Sequence, residues 1–233
     1  MVCQLWLAVH ACSLYLQFPW VFLALVTVSK KSMKIMTRKK KTTIRIFPES
    51  WVETCDFRMF FPSQERPLEV DIGSGKGRFL LARSGRFPEI NFLGIERQLI
   101  RVNRSGRKCE LAGRKNVRLL RMEGYYAIRW LMPKELVNTY YFFFPDPWPK
   151  DRHHDHRLFN RVFMDALHRS LKPEGCLHVA TDHFPYYDQI YALLSADERF
   201  EEMEAFEPLE EERTDFEILF KEKQIGRCSF RKL

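Results

Sequence analysis

The chain has 233 residues, 45% of them hydrophobic and 29% charged, with a formal net charge of +8 and a pI near 9.2. This length allows one domain with a sizeable core. Its six cysteines show neither a Cys-x-x-Cys pair nor a compact spacing, so the sequence suggests neither a metal site nor a secreted disulfide scaffold. We therefore expect a reducing compartment, the cytoplasm. Twelve Lys or Arg against three Glu between residues 78 and 121 favour a polyanionic partner over a merely solvated surface.

The N-terminal segment is apolar and uncharged over residues 5–29, which is long enough to span a bilayer. No Lys or Arg precedes it, and polar residues and a proline interrupt it, so it is a poor targeting signal. Because Met33 and Met36 stand just before a basic run, we interpret residues 1–35 as an over-extended gene start. A membrane anchor is the alternative, and membrane contact is expected only in that case. Residues 36–67 are a basic arm and connector.

From residue 68 onward, apolar runs alternate with amphipathic segments. The runs "LEVDIG", "NFLGIE", "VRLLRM", "YYFFFP" and "CLHVATD" predict strands, and "RTDFEILF" predicts a last, antiparallel strand. Helices are predicted over residues 78–86 and 98–112 and in "RLFNRVFMDALHRSL", which Pro173 ends. The acidic run at residues 201–212 is expected to be solvated. This order predicts an α/β fold with a mostly parallel sheet and helices on both faces.

Three glycines follow the first strand directly, in "VDIGSGKGRF". Gly73, Gly75 and Gly77 allow a tight turn and the close approach of a ligand, and the next helix offers unpaired N–H groups at its start. Their spacing is Gly-x-Gly-x-Gly, which differs from both the dinucleotide-binding and the phosphate-loop spacing. The loop alone therefore indicates a ligand site without identifying the ligand.

Acidic residues at three strand ends narrow the choice of ligand. Glu96 lies about 20 residues past the glycines, where a carboxylate can accept hydrogen bonds from ribose hydroxyls. Asp71 would repel a pyrophosphate but attract a sulfonium or ammonium, which favours S-adenosylmethionine over NAD. Glu123 can accept from the adenine amino group, while Gly124 leaves room for the ring. In the alternative interpretation, Asp71 caps a helix, Glu96 is a surface acid and Gly124 is a simple turn.

The stretch "FFFPDPWPKDRHHDHR" carries the fourth strand into an unusual loop. Prolines on both sides of Asp146 restrict the backbone and fix the direction of its carboxylate. The cations that follow suit phosphate contacts, and Trp148 is available for packing or base stacking. A basic, solvated loop with a buried tryptophan is the alternative.

Together with "GIER", "ATD" and "TDFE", these motifs resemble the bacterial tRNA (guanine-N7)-methyltransferases over residues 68–233. Pro-Asp-Pro-Trp followed by Lys is far more specific than the glycines. The resemblance implies a Rossmann-like class I methyltransferase domain with a mostly parallel seven-stranded sheet. It also implies transfer of a methyl group from S-adenosylmethionine to guanine N7 at position 46 of the tRNA variable loop. We expect tRNA as the partner and a monomeric protein.

The resemblance further implies roles for individual residues. Asp71, Glu96, Glu123 and Asp146 match acids that contact the cofactor, and Asp146 is also the proposed catalytic residue. The positions that match substrate-binding residues are Lys150, Asp182, Thr214, Asp215, Phe216 and Glu217. The arm expected to contact RNA consists of Arg152, His153, His154, Asp155, His156 and Arg157.

The sequence departs from the family at three places. Glu123 and Gly124 stand where the family usually has Asp-Ala. Asp155 and His156 stand where it usually has basic residues of the Lys-Arg type, and Asp215 stands where it usually has Lys. The last two changes remove positive charge near the RNA, which affects affinity more than chemistry.

The chemistry of guanine N7 needs no general base, because this nitrogen carries a lone pair and no proton. Catalysis should therefore come from alignment and from electrostatic stabilisation by Asp146. Asp182 can accept from guanine N1–H and the 2-amino group, although a helix N-cap is its alternative role. A non-catalytic RNA-binding module on the same fold is the competing function. An NAD-dependent oxidoreductase is disfavoured by Asp71 and by the glycine spacing.

Overall fold

The computed structural model describes residues 44–148, 150 and 157–233, and within them eight strands form one sheet. The strands are β1 (Arg45–Ile46), β2 (Leu68–Ile72), β3 (Asn91–Ile95), β4 (Val117–Leu120), β5 (Val137–Phe143), β6 (Leu171–Thr181), β7 (Phe200–Met203) and β8 (Gly226–Lys232). The helices are α1 (Arg78–Arg86), α2 (Leu99–Leu111), α3 (Arg161–Ser170), α4 (Phe184–Ser195) and α5 (Asp215–Leu219). Shorter helical turns lie at Phe57–Phe60, Gly124–Tyr126, Ala127–Leu131 and Glu210–Glu212.

The strand order is β1-β4-β3-β2-β5-β6-β8-β7, with β8 antiparallel to both of its neighbours and the other pairs parallel. This confirms the predicted Rossmann-like α/β fold. The sheet has eight strands rather than seven, because the two residues of β1 pair with β4 at its edge. From β2 the chain passes to β3 on one side and later to β5 on the other, so the strand order reverses at β2. Ligands of parallel α/β sheets bind at such a point.

Helices cover both faces of the sheet, and β5 shows how its side chains divide between them. Tyr140 and Phe142 pack in the main core with Phe163 of α3, whereas Tyr141 and Phe143 pack with Phe79 of α1 on the opposite face. All four β5 side chains are buried. A strand buried on both faces explains the continuous apolar run in the sequence.

The segment "RTDFEILF" is wrongly predicted as a strand, since residues 215–219 form helix α5. The Thr214 hydroxyl accepts from the Glu217 N–H at 3.2 Å, and the Glu217 carboxylate accepts from the Thr214 N–H at 2.7 Å. This reciprocal capping stabilises a helix start and outweighs the apolar pattern. The antiparallel last strand exists, but it is β8.

Helix α3 is shorter than predicted, because it begins at Arg161. The Asn160 side chain caps it by accepting from the Phe163 N–H at 3.0 Å. Pro173 does not end this helix, since it already lies within β6. Helices α1 and α2 match their predicted positions to within one residue at each end.

The N-terminal extension lies outside the described residues, as does part of the basic arm. The division of the chain at residues 35 and 67 therefore stays a prediction. Among the helices described after residue 43, none has the length and apolar character needed to cross a membrane.

We expect Gly77→Ala to lower the free energy of unfolding more than Gly113→Ala does. Both glycines have a positive φ, +73° and +66°, so an alanine at either costs about 1–2 kcal/mol of backbone strain. Only at Gly77 would the new Cβ also overlap a neighbouring helix, at 2.0 Å from the Ser105 hydroxyl oxygen. Urea unfolding of both variants measures the difference. Equal losses would mean that Ser105 moves aside without cost.

Candidate functional site

The carboxyl ends of β2 to β5 border two cavities, which we call together the strand-end cleft. The first cavity, of about 590 Å³, is bordered by the predicted site residues Gly73, Glu96, Glu123, Gly124 and Asp146. The second, of about 250 Å³, is bordered by Asp71, Gly73, Gly75, Thr214, Asp215 and Phe216. Both cavities share Gly73, Arg101, Phe143 and Phe144, so they adjoin. The structure thus brings most of the predicted cofactor residues to one place.

The glycine loop lies where the two cavities meet. Gly73 and Ser74 donate backbone hydrogen bonds to the Ile95 carbonyl at 2.8 and 3.1 Å, which attaches the loop to the end of β3. Gly73 and Gly75 have φ values of +77° and +55°, a region that favours glycine. A Cβ on Gly73 would meet no atom within 4 Å and would project into open space. The missing side chain therefore leaves room for a ligand that extends across both cavities.

Glu96 joins the glycine loop to the start of α2. Its side chain is only 4% exposed and accepts from the backbone N–H of Gly75 at 3.2 Å and of Gln98 at 2.7 Å. The Arg101 guanidinium lies 3.6 Å from one carboxylate oxygen. Glu96 is therefore not a surface acid, which excludes that alternative. Each carboxylate oxygen has a further lone pair, so ribose hydroxyls fit as additional donors.

Asp71 is a buried acid at the end of β2, also 4% exposed. Burial, and secondarily the negative charge of Glu96, raises the pKa of Asp71 to about 8. Gly77, not Asp71, occupies the N-cap position of α1, so the capping alternative is wrong. At neutral pH Asp71 therefore carries a proton, and a cationic group in the second cavity would favour its charged form.

Glu123 and Gly124 follow β4 and border the first cavity. The Glu123 carboxylate caps a helical turn by accepting from the Tyr126 N–H at 3.1 Å. A Cβ on Gly124 would lie 2.6 Å from Cγ2 of Ile72. The contact with Ile72 of β2 therefore favours glycine at this position, and the interpretation that Gly124 leaves room for a ligand ring stays a prediction.

Asp146 lies in the loop after β5, and its side chain is 65% exposed. The loop backbone is held at two points, because Phe144 donates to the Ala180 carbonyl at 2.7 Å and Arg157 donates to the Pro147 carbonyl at 2.8 Å. Phe144 and Trp148 have φ values of +54° and +43°, which are uncommon for bulky residues. Such strain persists where the surrounding contacts hold the backbone, as they do here.

Arg157 holds this loop to the rest of the fold. Its side chain is buried, donates to the Gln189 side-chain oxygen at 2.6 Å and lies over the Tyr186 ring at 5.0 Å, and it also borders the first cavity. These contacts give Arg157 a supporting role, and its contact with RNA stays a prediction. Lys150 is exposed. The other predicted RNA contacts lie outside the described residues: Arg152, His153, His154, Asp155 and His156.

The C-terminal motif divides into two parts. Thr214, Asp215 and Phe216 border the second cavity, and the Phe216 ring stacks on Phe144 with centroids 4.4 Å apart. Glu217 is buried, borders neither cavity, and forms an ion pair with Arg227 in addition to its capping contact. These contacts give Glu217 a supporting role, and its contact with substrate stays a prediction.

Asp182 follows β6 and borders neither cavity. Its carboxylate forms an ion pair with Lys223. The N-cap of α4 is His183, whose ring nitrogen accepts from the Tyr186 N–H at 3.2 Å, so the capping alternative for Asp182 is wrong. Recognition of guanine by Asp182 stays a prediction.

Two arginines that border the cleft are missing from the sequence prediction. Arg97 donates to the Asp146 carboxylate at 3.2 Å, and Arg101 borders both cavities beside Glu96. Their position after β3 could have predicted a place at the cleft, because residues just after the carboxyl end of a parallel strand face the ligand side of the sheet. Arg97 directly follows Glu96 at the end of β3.

Across residues 44–148, 150 and 157–233, no three His, Cys, Asp or Glu side chains are grouped as metal ligands. The four cysteines in these ranges are free thiols. Burial raises the pKa of Cys109 to about 11 and that of Cys228 to about 12, so neither is a reactive thiolate at neutral pH. The absence of a metal site stays a prediction.

Residues 65–227 match the profile of a protein family described as "Putative methyltransferase", which is more than half of the chain. The chain belongs to this family. Similar proteins named tRNA (guanine-N(7)-)-methyltransferase occur in Halorhodospira halophila and Nitrosococcus oceani. The first is 38% identical over 135 residues, 58% of each chain, and the second is 36% identical over 145 residues, 62% of this chain and 61% of the relative. The chain thus spans about three fifths of the length of these relatives.

Solved structures agree with this methyltransferase family at the level of the fold. A SAM dependent methyltransferase from Aquifex aeolicus superposes with a TM-score of 0.51 at 16% identity, covering 72% of this chain and 82% of that chain. At this identity the likeness concerns the fold alone.

In the wild type, we expect Asp71 to lower the free energy of unfolding as pH rises from about 4 to about 8. Asp71→Asn should abolish this contribution. Folded Asp71 keeps its proton up to a pKa of about 8, whereas an unfolded aspartate loses it near about 3.9. The folded state therefore binds more protons in this window, so this group's contribution to stability falls with rising pH. Urea unfolding of both proteins at about pH 5 and about pH 7.5 should show the variant gaining on the wild type at the higher pH. A constant difference would contradict a neutral Asp71.

Proposed function

We propose that this protein transfers a methyl group from S-adenosylmethionine to N7 of guanine at position 46 of the tRNA variable loop. The observation that carries the proposal is the strand-end cleft, which collects Asp71, Glu96, Glu123 and Asp146 from four strand ends. The names of the relatives supply the chemistry to which these acids are assigned.

The cleft fits the cofactor in its charge and in its shape. Glu96 and Glu123 border the larger cavity, where they would hold the ribose and the adenine. Asp71 and Asp215 border the smaller cavity, where they would face the ammonium of the methionine part. The open passage at Gly73 joins the two. When bound, the cofactor supplies an electrophilic methyl group on a positively charged sulfur.

The protein's share in the reaction is alignment and electrostatics, since guanine N7 has no proton to remove. Asp146 would stabilise the positive charge that passes from the sulfonium to the methylated base. Its carboxylate is exposed at the cleft, and a bound base would cover it. Exclusion of water around a charge strengthens its interactions, so covering Asp146 would increase its effect.

Support for tRNA as the substrate comes from charge and from the relatives. The net charge is +8, and the exposed face of α2 beside the cleft is rich in arginine. Lys150 would contact phosphate. Asp182 would accept hydrogen bonds from the guanine edge once its ion pair with Lys223 has opened. We further propose that the protein acts on tRNA as a monomer in the cytoplasm.

The direct test is incubation of the purified protein with unmodified tRNA and cofactor labelled in its methyl group. The expected product is 7-methylguanosine, located at position 46 by chemical cleavage of the tRNA at the methylated base. Label at another guanine would refute the position, and label in another nucleoside would refute the chemistry. Binding of tRNA without any methyl transfer would identify the protein as a non-catalytic RNA-binding module.

Asp146→Asn is expected to lower the rate of methyl transfer about a hundredfold, since it removes one stabilising charge worth about 3 kcal/mol and little volume. Asp188→Asn, at an exposed position of α4, is the matched control and should leave the rate unchanged. Single-turnover assays with both variants provide the measurement. A variant that kept half of the wild-type rate would remove Asp146 from the mechanism.

Glu96→Gln is expected to weaken binding of S-adenosylmethionine and to leave tRNA binding nearly unchanged. The amide keeps the size of the side chain but replaces one acceptor oxygen with a donor. The N–H of Gly75 or that of Gln98 therefore loses its acceptor, as does any ribose hydroxyl bound to the same oxygen. Calorimetry with the cofactor and a filter-binding assay with tRNA separate the two affinities. Unchanged cofactor affinity would refute the assignment of Glu96.

A further inference from the structure

An ion pair crosses the mouth of the strand-end cleft. Arg97 follows β3 and Asp146 follows β5, and these strands lie on opposite sides of β2 in the sheet. The 3.2 Å contact between Arg97 Nη2 and Asp146 Oδ2 therefore passes in front of the end of β2, where the glycine loop begins. Both side chains border the first cavity.

We propose that Arg97 is a positioning residue, which holds the Asp146 carboxylate across the cleft and closes the cleft over the bound cofactor. The inference rests on the proposed function, because it takes Asp146 as the acid that acts on the methyl group. The prolines fix the backbone of Asp146 but leave its side chain free to rotate in water. A charge-assisted hydrogen bond from Arg97 restricts this rotation and fixes the direction of the Asp146 carboxylate.

The neighbouring Arg101 has a different partner from Arg97, so the effects of substituting the two arginines can be separated. Arg101 contacts the buried Glu96, whereas the partner of the Arg97 guanidinium among the described residues is Asp146, an acid that is itself largely exposed. A variant at Arg97 therefore alters the position of Asp146 without disturbing the anchor of the glycine loop. Exposed ion pairs are weak, so the pair should change a rate constant by at most about fivefold.

The first test measures Arg97→Gln, with Arg97→Lys as the conservative variant and Arg231→Gln as the control. Arg231 also forms an exposed ion pair, with Glu201, but borders neither cavity. Arg97→Gln should raise the dissociation rate constant of S-adenosylhomocysteine about two- to fivefold and lower kcat by a similar factor, with the KM for tRNA unchanged. Arg97→Lys should restore most of both values, because it keeps the charge. Arg231→Gln should change neither value. An increase in the KM for tRNA at constant kcat would overturn the proposal and identify Arg97 as a phosphate contact.

The second test is a double-mutant cycle on the dissociation of S-adenosylhomocysteine, which needs no tRNA. In the Asp146→Asn background, Arg97→Gln should have no further effect, because the partner of the arginine has lost its charge. Additive effects of the two substitutions would overturn the proposal while leaving the proposed function intact. A wild-type protein that does not bind S-adenosylhomocysteine would overturn the proposed function and this inference together.

Discussion

The cleft depends first on one buried carboxylate, that of Glu96. It accepts the backbone N–H groups of Gly75 and Gln98 and thereby joins the loop after β2 to the helix after β3. A buried carboxyl group needs such hydrogen-bond partners, so the loop conformation and the burial of Glu96 depend on each other. The charge of Glu96 also raises the pKa of Asp71. The Glu96 side chain thus determines both the conformation of the glycine loop at Gly73 and the preference of the smaller cavity for a cationic group.

The strands that deliver the acids are held together on the face of the sheet that α1 covers. Arg83 of α1 lies 3.5 Å from Glu69 of β2 and 3.3 Å from Glu212, and the Tyr141 hydroxyl of β5 donates to Glu69 at 2.7 Å. This buried network connects β2 and β5, whose ends carry Asp71 and Asp146. Burial and the positive charge of Arg83 lower the pKa of the nearby His178 to about 4, so the histidine remains neutral and adds no second cation.

The side of the cleft that carries Asp146 is supported by segments distant in sequence. Phe216 of α5 stacks on Phe144, and α5 is itself held by the ion pair between Glu217 and Arg227. Arg157 holds the carbonyl of Pro147 from the other side. The loop that presents Asp146 is therefore positioned by buried cations and aromatic contacts, while its carboxylate stays accessible. Preorganised placement of a charged group is what a reaction without proton transfer needs.

The sequence alone determined the sheet, the glycine loop and the strand-end acids, because buried parallel strands leave continuous apolar runs and the loop residues follow them directly. Only the tertiary structure decided which polar residues are exposed. Arg157, Glu217 and Glu212 belong to charged segments that were expected to contact RNA, substrate or solvent, yet all three are buried. The partners that bury them are remote in the chain, as Arg83 is for Glu212. Likewise, glycine at position 124 is favoured by the contact with Ile72 of a different strand. Local pattern specifies local structure, whereas the pairing of distant charges and surfaces exists only after the chain has folded.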